Sequence, residues 1–402
     1  MQSTAAYHSE EPSLSDYLHN LDNELSGFFA SSNQWLIAEG VNKTFSERAT
    51  LDDSAALDEK LHHHLHQQST KHGAPALAIG ALPFDDQHIA HFIIPERLHS
   101  LTRETTANNA TVIPKLVQRR EVPEPAHFLE SVEKALTRIA ESDLLKVVLS
   151  RTLELEFEQK INLPALIERL AAHNRCGFTY ALNLDNSKQD ERYFIGASPE
   201  LLVSRDGLHV VANPLAGSRP LSQDAAVNRE RAAELSSSEK DLHEHALVAD
   251  AVADALRPFC RAIAVPSGPS LVYTDSMMHL STRVVGTLRE PYPSVLELVK
   301  ALHPTPAVCG VPRADAHQTI LELEAFEREL FTGAVGWVDA EGNGEWAVTI
   351  RCAEVGGNAL RLFAGAGVVA GSSPHHELAE TGAKFGTMLR ALGLPPLQEV
   401  LA

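Results

Sequence analysis

The sequence predicts an α+β fold in a single large domain. Predicted strands and helices come in unequal clusters along the chain, whereas a doubly wound parallel sheet requires regular alternation. At roughly 100–200 residues per domain, a chain of 402 residues fits one large or two medium domains, and neither an internal repeat nor a long linker divides it. Hydrophobic residues make up 44% of the chain, which supplies a sizeable core and argues against disorder.

The N-terminal part of the chain is predicted to contain polar helical stretches and one apolar run, Ala74 to Leu82. Gln118 to Pro125 (QRREVPEP) has the composition of a connector. The next segment, Ala126 to Ser142, predicts a helix because apolar residues recur on one helical face. These residues are Phe128, Leu129, Val132, Leu136 and Ile139.

The rest of the chain predicts clustered strands and helices. β-Branched or alternating apolar runs predict strands at Lys146–Leu155, Phe178–Leu184, Arg192–Gly196, Leu201–Ser204, Glu345–Val355 and Leu360–Val369. Helices are predicted at Pro164–Asn174 and Ser237–Pro258. A last helix begins at Ser373 and Pro374, because Ser is a preferred N-cap and Pro fits the first helical position. A tight turn at 356–358 (GGN) joins the last two strands.

Charge and targeting signals exclude several classes of function. Lys and Arg number 34 and Asp and Glu number 53, so the formal net charge is −19, which opposes binding to nucleic acid or to an anionic membrane. A small anionic substrate needs only a local basic pocket and is still compatible. No run reaches the roughly 18 apolar residues of a membrane helix, and Met1 to Glu11 lack the features of a secretory signal.

The cysteines agree with the cytoplasmic location that this lack of signals predicts. Cys176, Cys260, Cys309 and Cys352 lie far apart in the chain, which fits neither a compact disulfide framework nor a paired metal knuckle. We expect them to be small buried hydrophobic residues in a reducing compartment.

Two acidic pairs are the most informative local feature. Asp241 and Glu244 are spaced i, i+3 at the start of one predicted helix, and Glu377 and Glu380 have the same spacing in the last helix. Each spacing places both carboxylates on one helical face, where they could bind a hard divalent cation such as magnesium. The alternative is ordinary helix chemistry, because Ser238 and Asp241 match a capping box and Glu380 precedes Lys384 by four residues.

Two further motifs are ambiguous. His62, His63, His64 and His66 invite a metal-site interpretation, but a polar helix without acidic or Cys partners explains them better. The glycine-rich stretch from Gly365 to Gly371 resembles a dinucleotide turn, yet acidic residues open the following helix and no early βαβ unit surrounds it. A backbone amide site for a substrate carboxylate fits this stretch better.

Two basic residues have opposed interpretations. Lys146 is either an edge-strand gatekeeper or a buried lysine whose lowered pKa allows it to act as a base. Arg351, in a predicted strand on the face shared with Thr349, is either a surface charge or a buried clamp that binds a carboxylate through two parallel hydrogen bonds.

Read together, the motifs from residue 144 onward resemble the chorismate-utilising enzymes, in particular the isochorismate synthases of catecholate-siderophore pathways. The matching segments, in chain order, are KVVLSR (146–151), GASPELL (196–202), PLAGS (214–218), SEKDLHEH (238–245), HPTPAVCG (303–310), GEWAVTIRCA (344–353), LFAGAG (362–367) and ETGAK (380–384). The resemblance assigns residues 111–402 to the catalytic region. Residues 1–110 form a weakly matched N-terminal part of the same domain, and residues 1–70 have no functional interpretation.

The resemblance implies two packed antiparallel sheets with helices outside and the active site between the sheets. It also implies a magnesium ion, with Glu244 and Glu380 as direct ligands and Asp241 and Glu377 acting mainly through bound water. In the implied reaction, water attacks ring carbon 2 of chorismate, the double bonds shift, and hydroxide leaves ring carbon 4.

The same resemblance implies a role for each remaining site residue. Lys146 matches the base that activates water, and Glu200 matches the acid that protonates the leaving hydroxyl. Magnesium and Lys384 would bind the ring carboxylate, and Arg351 and the amide of Gly365 the enolpyruvyl carboxylate. The other implied pocket residues are Gly217 on the nucleophile side, Ser218, Ala364 and His279, whose role stays open.

Single residues indicate the branch of the family and the partners that we expect. Aminating relatives typically carry Gln at the position of Lys146, so Lys favours water as the nucleophile, and no glutamine amidotransferase subunit is expected. Salicylate synthases share this Lys but usually carry Thr where Ser218 stands, and menaquinone-pathway enzymes run the same reaction. Two alternatives come from other functional classes. One is a catalytically silent relative that binds chorismate or metal, and the other is a phosphate-handling metalloenzyme. A monomer is expected.

Overall fold

The computed structural model describes residues 14–21, 24–48, 54–72, 76–102, 113–185 and 192–397. The segment Met1 to Glu11, interpreted above as lacking a signal, lies outside these residues. Within them the α-helices are α1 (Leu14–Asn20), α2 (Ser54–His72), α3 (Pro125–Glu141), α4 (Leu163–His173), α5 (Ala225–Ser237), α6 (Glu239–Leu256), α7 (Val295–Leu302), α8 (Arg313–Leu323) and α9 (Pro374–Ala391). No helix in the described segments is long and apolar enough to cross a membrane.

The strands fall into three antiparallel sheets. They are β1 (Leu25–Ala30), β2 (Gln34–Glu39), β3 (Lys43–Arg48), β4 (Leu77–Leu82), β5 (Ile89–Ile94), β6 (Arg97–Thr102), β7 (Leu116–Val122), β8 (Lys146–Phe157), β9 (Phe178–Asn183), β10 (Arg192–Ser198), β11 (Leu201–Asp206), β12 (His209–Asn213), β13 (Leu215–Pro220), β14 (Cys260–Ala264), β15 (Ser270–Tyr273), β16 (Met277–Ser281), β17 (Val284–Leu288), β18 (Gly310–Val311), β19 (Ala334–Asp339), β20 (Gly344–Val348), β21 (Cys352–Gly356) and β22 (Ala359–Val369).

The two large sheets carry most of the strands. The first sheet has the order β18-β8-β22-β21-β10-β9-β1-β2-β6, with β7 also paired to β8. The second has the order β14-β17-β12-β11-β20-β19-β4-β5-β3, and a small third sheet has the order β13-β16-β15. Strand β8 is therefore flanked by β22 on one side and by β18 and β7 on the other, so its residues lie inside the first sheet.

The large sheets pack face to face. Phe29 and Phe194 of the first sheet share one apolar layer with Ile79, Val335 and Ala347 of the second. Helices α1, α4 and α9 cover the outer face of the first sheet, and α2, α6 and α7 cover the second. Helices α3 and α8 pack on β8. This arrangement confirms the α+β class, with packed antiparallel sheets and helices outside.

Several predicted elements are confirmed and others are wrong. The segment 118–125, predicted as a connector, mostly belongs to strand β7, whose register with β8 adds a partner that local composition does not reveal. The N-terminal part contains six strands rather than one apolar run, because short strands of six residues leave weak periodic signals. The helix predicted to begin at Ser237 begins after Ser238, whose side chain accepts a hydrogen bond from the amide of Asp241.

The strand predicted over Glu345–Val355 is also wrong, because it is two strands, β20 and β21, in different sheets. The chain crosses between the sheets at 349–351, and Arg351 adopts a left-handed backbone with φ of 53°. Such a conformation is sparsely populated by residues with a side chain and interrupts strand geometry. The last helix begins as predicted, with Ser373 as N-cap and Pro374 in the first turn, but the Ser373 side chain makes no capping hydrogen bond.

Candidate active site

One cleft collects most of the predicted site residues. It lies among the first sheet, the three-stranded sheet and helices α6 and α9, each of which contributes lining residues. The predicted residues that line it are Glu200, Gly217, Ser218, Glu244, His279, Arg351, Ala364, Gly365, Glu380 and Lys384. Lys146 contacts this lining through Glu244, whereas Asp241 and Glu377 are held by other ion pairs.

Lys146 is a buried lysine at the beginning of β8, not an edge-strand gatekeeper. Lys146 is 1% exposed, and its Nζ lies 2.8 Å from Oε1 of Glu244 on α6. The neighbouring strand β22 leaves room for this pair at Gly367, where an added Cβ would lie 2.4 Å from the same Glu244 oxygen. The side chains of Lys146 and Glu244 can meet at the cleft because Gly367 beside them has no side chain.

Glu200 is a buried carboxyl group between β10 and β11. It is 3% exposed, and its Oε1 accepts a long hydrogen bond of 3.4 Å from the amide of Leu215. Burial raises the pKa of Glu200 to about 7, although that hydrogen bond and the charges of Lys146, Lys384 and Arg351 act in the opposite direction. A carboxyl group with this pKa can release or accept a proton near neutral pH.

Arg351 is a buried cation without a fixed partner. It is 5% exposed, and among the described residues its guanidinium makes no hydrogen bond or ion pair within bonding distance. Burial lowers the pKa of Arg351 to about 10, which the charges of Glu380 and Glu200 partly offset, so the side chain is still protonated at neutral pH. An unpaired guanidinium in a cleft is suited to a ligand carboxylate.

Two glycines of the cleft, Gly217 and Gly365, lie beside charged side chains. Lys384 on α9 donates a hydrogen bond to the Gly365 carbonyl at 2.8 Å and pairs with Glu380 at 2.6 Å. Gly217 sits at a bulge in β13 with φ of +76°, where an added Cβ would lie 3.2 Å from the Cβ of Asp241. Both glycines thus bring backbone close to charged side chains.

His279 on β16 pairs in register with Ser218 on β13, which places both at the cleft. Its Nε2 is buried without a hydrogen-bond partner. Burial, together with the charges of Arg351 and Lys384, holds the pKa of His279 well below its usual range. The ring is therefore neutral at physiological pH, with one nitrogen free for a ligand.

The four acidic residues lie on α6 and α9, as their spacing predicts, and each is paired with a cation. Glu244 pairs with Lys146, Asp241 with Arg219 at 2.7 Å, Glu377 with Lys240 at 3.1 Å and Glu380 with Lys384. Burial and the nearby charge of Glu380 raise the pKa of Glu377.

The donor set fits magnesium by chemistry, because four carboxylates from two helix faces are hard oxygen ligands. In this structure, however, no three His, Cys, Asp or Glu side chains among the described residues are grouped closely enough to hold a metal ion. That finding includes the histidines of α2, where His62 contacts the carbonyl of Ala340 and His63 contacts Gln67.

Part of the cleft lies outside the site residues predicted from the sequence. Its apolar side is formed by Val148, Val308, Phe331, Ile350 and Phe363, with Thr332 beside them. The motif HPTPAVCG contains Val308 and could have indicated that segment. Arg219 and Lys240 pair with the acidic residues but were not predicted as site residues. Arg219 directly follows the motif PLAGS, and Lys240 lies within the motif SEKDLHEH.

The cleft can perform acid–base chemistry on a small anion. Glu200 can transfer a proton, Lys146 and Lys384 supply amino groups, and the guanidinium of Arg351 is free to bind a carboxylate. Apolar side chains line the rest of the cleft, so these polar groups lie beside low-dielectric walls.

Known proteins are similar to this chain in sequence and in fold. The model of the chorismate binding enzyme family matches residues 61–393. The chain is 47% identical to isochorismate synthase DhbC of Bacillus subtilis over 378 residues, which are 91% of this chain and 93% of that protein. It is 43% identical to the vibriobactin-specific isochorismate synthase of Vibrio cholerae over 386 residues, or 95% and 96% of the two chains.

A solved structure extends the likeness to the whole fold. A Bacillus anthracis protein assigned as a 2,3-dihydroxybenzoate-specific isochorismate synthase superposes with a TM-score of 0.87 at 46% identity. The match covers 95% of this chain and all of that chain.

Proposed function

The chain belongs to the chorismate-binding enzyme family and, within it, to the isochorismate synthases of the siderophore type, and on that premise we propose how its cleft acts on chorismate. Water is added at ring carbon 2, the double bonds shift, and the hydroxyl of ring carbon 4 leaves. The product has the same atoms as the substrate, so the enzyme is an isomerase.

Lys146 acts as the base and Glu200 as the acid. Lys146 accepts a proton from the attacking water, since neutral water is a poor nucleophile. Glu200 donates a proton to the leaving hydroxyl, since hydroxide is a poor leaving group. The pKa of Glu200, raised to about 7 by burial, supports this role because a large fraction of the carboxyl group is protonated near neutral pH.

The two carboxylates of chorismate bind to the basic side chains of the cleft. Arg351, which lacks a protein partner, and the amide of Gly365 hold the enolpyruvyl carboxylate, and Lys384 approaches the ring carboxylate. The nucleophile side is lined by Gly217. The remaining pocket residues are Ser218, His279 and Ala364, and the unpartnered Nε2 of His279 supports a polar contact with the substrate.

A magnesium ion completes the site in this proposal. Glu244 and Glu380, which line the cleft, would hold it directly, and Asp241 and Glu377 would act through bound water. The ion would supply positive charge for the ring carboxylate. The carboxylates of Glu244 and Glu380 both face the cleft and are hard oxygen ligands, which supports a divalent cation there.

The cellular setting is proposed from the same premise. Isochorismate formation is the step towards 2,3-dihydroxybenzoate in a catecholate-siderophore pathway, as for the relatives named above. We propose that the chain works as a cytoplasmic monomer on free chorismate, without nucleic acid, membrane or a glutamine amidotransferase subunit.

The buried carboxyl of Glu200, among three basic side chains, is the observation that carries this proposal. The test is to incubate the purified protein with chorismate and magnesium and to separate products by chromatography and mass. We expect isochorismate, at the mass of chorismate, and its loss on adding a chelator. Salicylate plus pyruvate would show a lyase instead, and magnesium-dependent chorismate binding without turnover would show a binding protein.

A further inference from the structure

Arg328 lies outside the cleft lining, in the segment between α8 and β19, yet it contacts two walls of the cleft. It is 3% exposed, and its guanidinium stacks 4.4 Å from the ring centroid of Phe84. No residue assigned above to chemistry or substrate binding contacts it. Its hydrogen bonds therefore need a separate explanation.

The guanidinium donates to both walls at once. One terminal nitrogen donates to the Val148 carbonyl at 2.8 Å and to the Ser150 hydroxyl at 3.1 Å, both on β8. The other donates to the Val308 carbonyl at 2.8 Å and to the Thr332 hydroxyl at 3.2 Å. A rigid fork with five N–H donors can hold acceptors from three segments in fixed relative positions.

These acceptors belong to residues that form the cleft. Val148, Val308 and Thr332 line it, and Val148 stands two residues after Lys146 on the same strand. The amide of Val148 also donates to the Cys309 carbonyl at 2.8 Å. Arg328 thus reinforces the contact between the strand of Lys146 and the segment that carries Val308.

Glu324 fixes the guanidinium in turn. Its Oε2 accepts from Nε of Arg328 at 2.8 Å, and its Oε1 accepts from the amide of Ser150 at 2.7 Å. The buried charge is therefore paired and hydrogen-bonded on every side, which a buried arginine requires.

The backbone that follows Arg328 is strained. Glu329 and Thr332 have φ of 47° and 58°, and neither is glycine. Such conformations persist only where the surroundings fix them, and they concentrate at functional sites. The hydrogen bond from Arg328 to Thr332 is one of the contacts that hold this segment.

We propose that Arg328 is a positioning residue, which fixes the separation between the Lys146 strand and the wall formed by Val308 and Thr332. This inference rests on the proposed function, in which Lys146 activates the attacking water. A displacement of about 1 Å in such a site can lower the rate about 10²-fold.

The test compares Arg328→Lys with a matched variant, Arg205→Lys. Arg205 on β11 also donates to backbone carbonyls, of Gly207 and Gly342, but lies away from the cleft. Lysine keeps the charge beside Glu324 but can satisfy at most three acceptors. We expect kcat for isochorismate formation to fall about 10- to 100-fold in Arg328→Lys, with KM for chorismate within about twofold, because Arg351 and Lys384 are untouched.

The assays are run well below the melting temperature of each variant, and circular dichroism measures the folded fraction. A loss of kcat in fully folded protein then reflects positioning and not a loss of stability. A second readout is Arg328→Ala supplied with guanidinium chloride at low millimolar concentration, where we expect partial recovery of kcat that sodium chloride does not give. If Arg328→Lys does not fold, Glu324→Gln, which keeps the carbonyl contacts, should lower kcat in the same direction with unchanged KM.

A wild-type kcat in folded Arg328→Lys, or a loss equal to that of Arg205→Lys, would overturn the positioning role while leaving the proposed function intact. A wild-type protein that forms no isochorismate would overturn the proposed function and this inference with it.

Discussion

Lys146 and Glu244 form a 2.8 Å ion pair that joins strand β8 to helix α6 at the edge of the cleft. Both residues are buried, so each charge depends on the other for compensation of its lost hydration. The proposed base and a proposed metal ligand are therefore direct neighbours, and a change in one is expected to disturb the other.

Lys146→Gln is expected to abolish isochorismate formation. A general base contributes about 10²–10⁴-fold to the rate, and glutamine cannot accept the proton. Chorismate binding, measured by calorimetry with magnesium present, should persist, because Arg351 and Lys384 are retained. The control is Lys134→Gln on the exposed side of α3, which should leave turnover unchanged. Product formation near the wild-type rate in Lys146→Gln would remove Lys146 from the chemistry.

Glu200→Gln is expected to lower activity and raise stability at alkaline pH. The pKa of Glu200 is raised from 4.5 to about 7 in the folded protein, so the folded state binds this proton more tightly than the unfolded state. The resulting stabilisation is complete below about pH 4.5 and is lost as the pH rises through 7. At pH 8 the charged, buried carboxylate destabilises the fold, and glutamine removes that charge.

The measurement is the melting temperature of both proteins at pH 5 and pH 8, together with kcat. Glu200→Gln should melt about 1–3 °C above the wild type at pH 8 and close to it at pH 5. Its kcat should fall by about 10² or more. We also expect wild-type kcat to fall above pH 7, where Glu200 loses its proton, and Glu200→Gln should not show this pH dependence. Glu133→Gln on α3 is the exposed control. Equal melting temperatures at pH 8 would mean that Glu200 carries no raised pKa.

Local patterns in the sequence were sufficient for part of this site. The i, i+3 spacing places Asp241 and Glu244 on one helix and Glu377 and Glu380 on another, because helix periodicity depends on a few adjacent residues. The hairpin between β21 and β22 follows from its glycine-rich turn for the same reason.

Relations between distant segments could not be predicted from such patterns. Lys240 and Glu377 are 137 positions apart, and Arg328 and Val148 are 180 apart, so no local period brings these pairs together. Arg351 illustrates the same limit, because alternation predicted one strand where the chain crosses between two sheets. Tertiary packing decides such breaks, and a single sequence carries little trace of it.

Arg351→Lys is expected to weaken substrate binding more than it slows the chemical step. Lysine retains the charge but cannot form two parallel hydrogen bonds with one carboxylate. We expect KM for chorismate to rise about 10-fold or more and kcat to change less, because a charge-assisted bidentate contact is lost. Arg205→Lys serves as the control away from the cleft. An unchanged KM would show that Arg351 does not bind the substrate.

Gly367→Ala tests whether the Lys146–Glu244 pair must keep its present geometry. The new Cβ would lie 2.4 Å from Oε1 of Glu244 and 3.2 Å from Cε of Lys146, so the flexible carboxylate must move away while the backbone of β22 stays in place. We expect a loss of activity of about 10-fold or more with a small change in melting temperature, since the displaced atom is the end of a side chain. The matched control is Gly386→Ala on α9, where nothing lies within 4 Å of the added Cβ, and where alanine should stabilise the helix by about 0.5–1 kcal/mol. Full activity in Gly367→Ala would show that catalysis tolerates a displaced Glu244, and would remove this carboxylate from the proposed magnesium site.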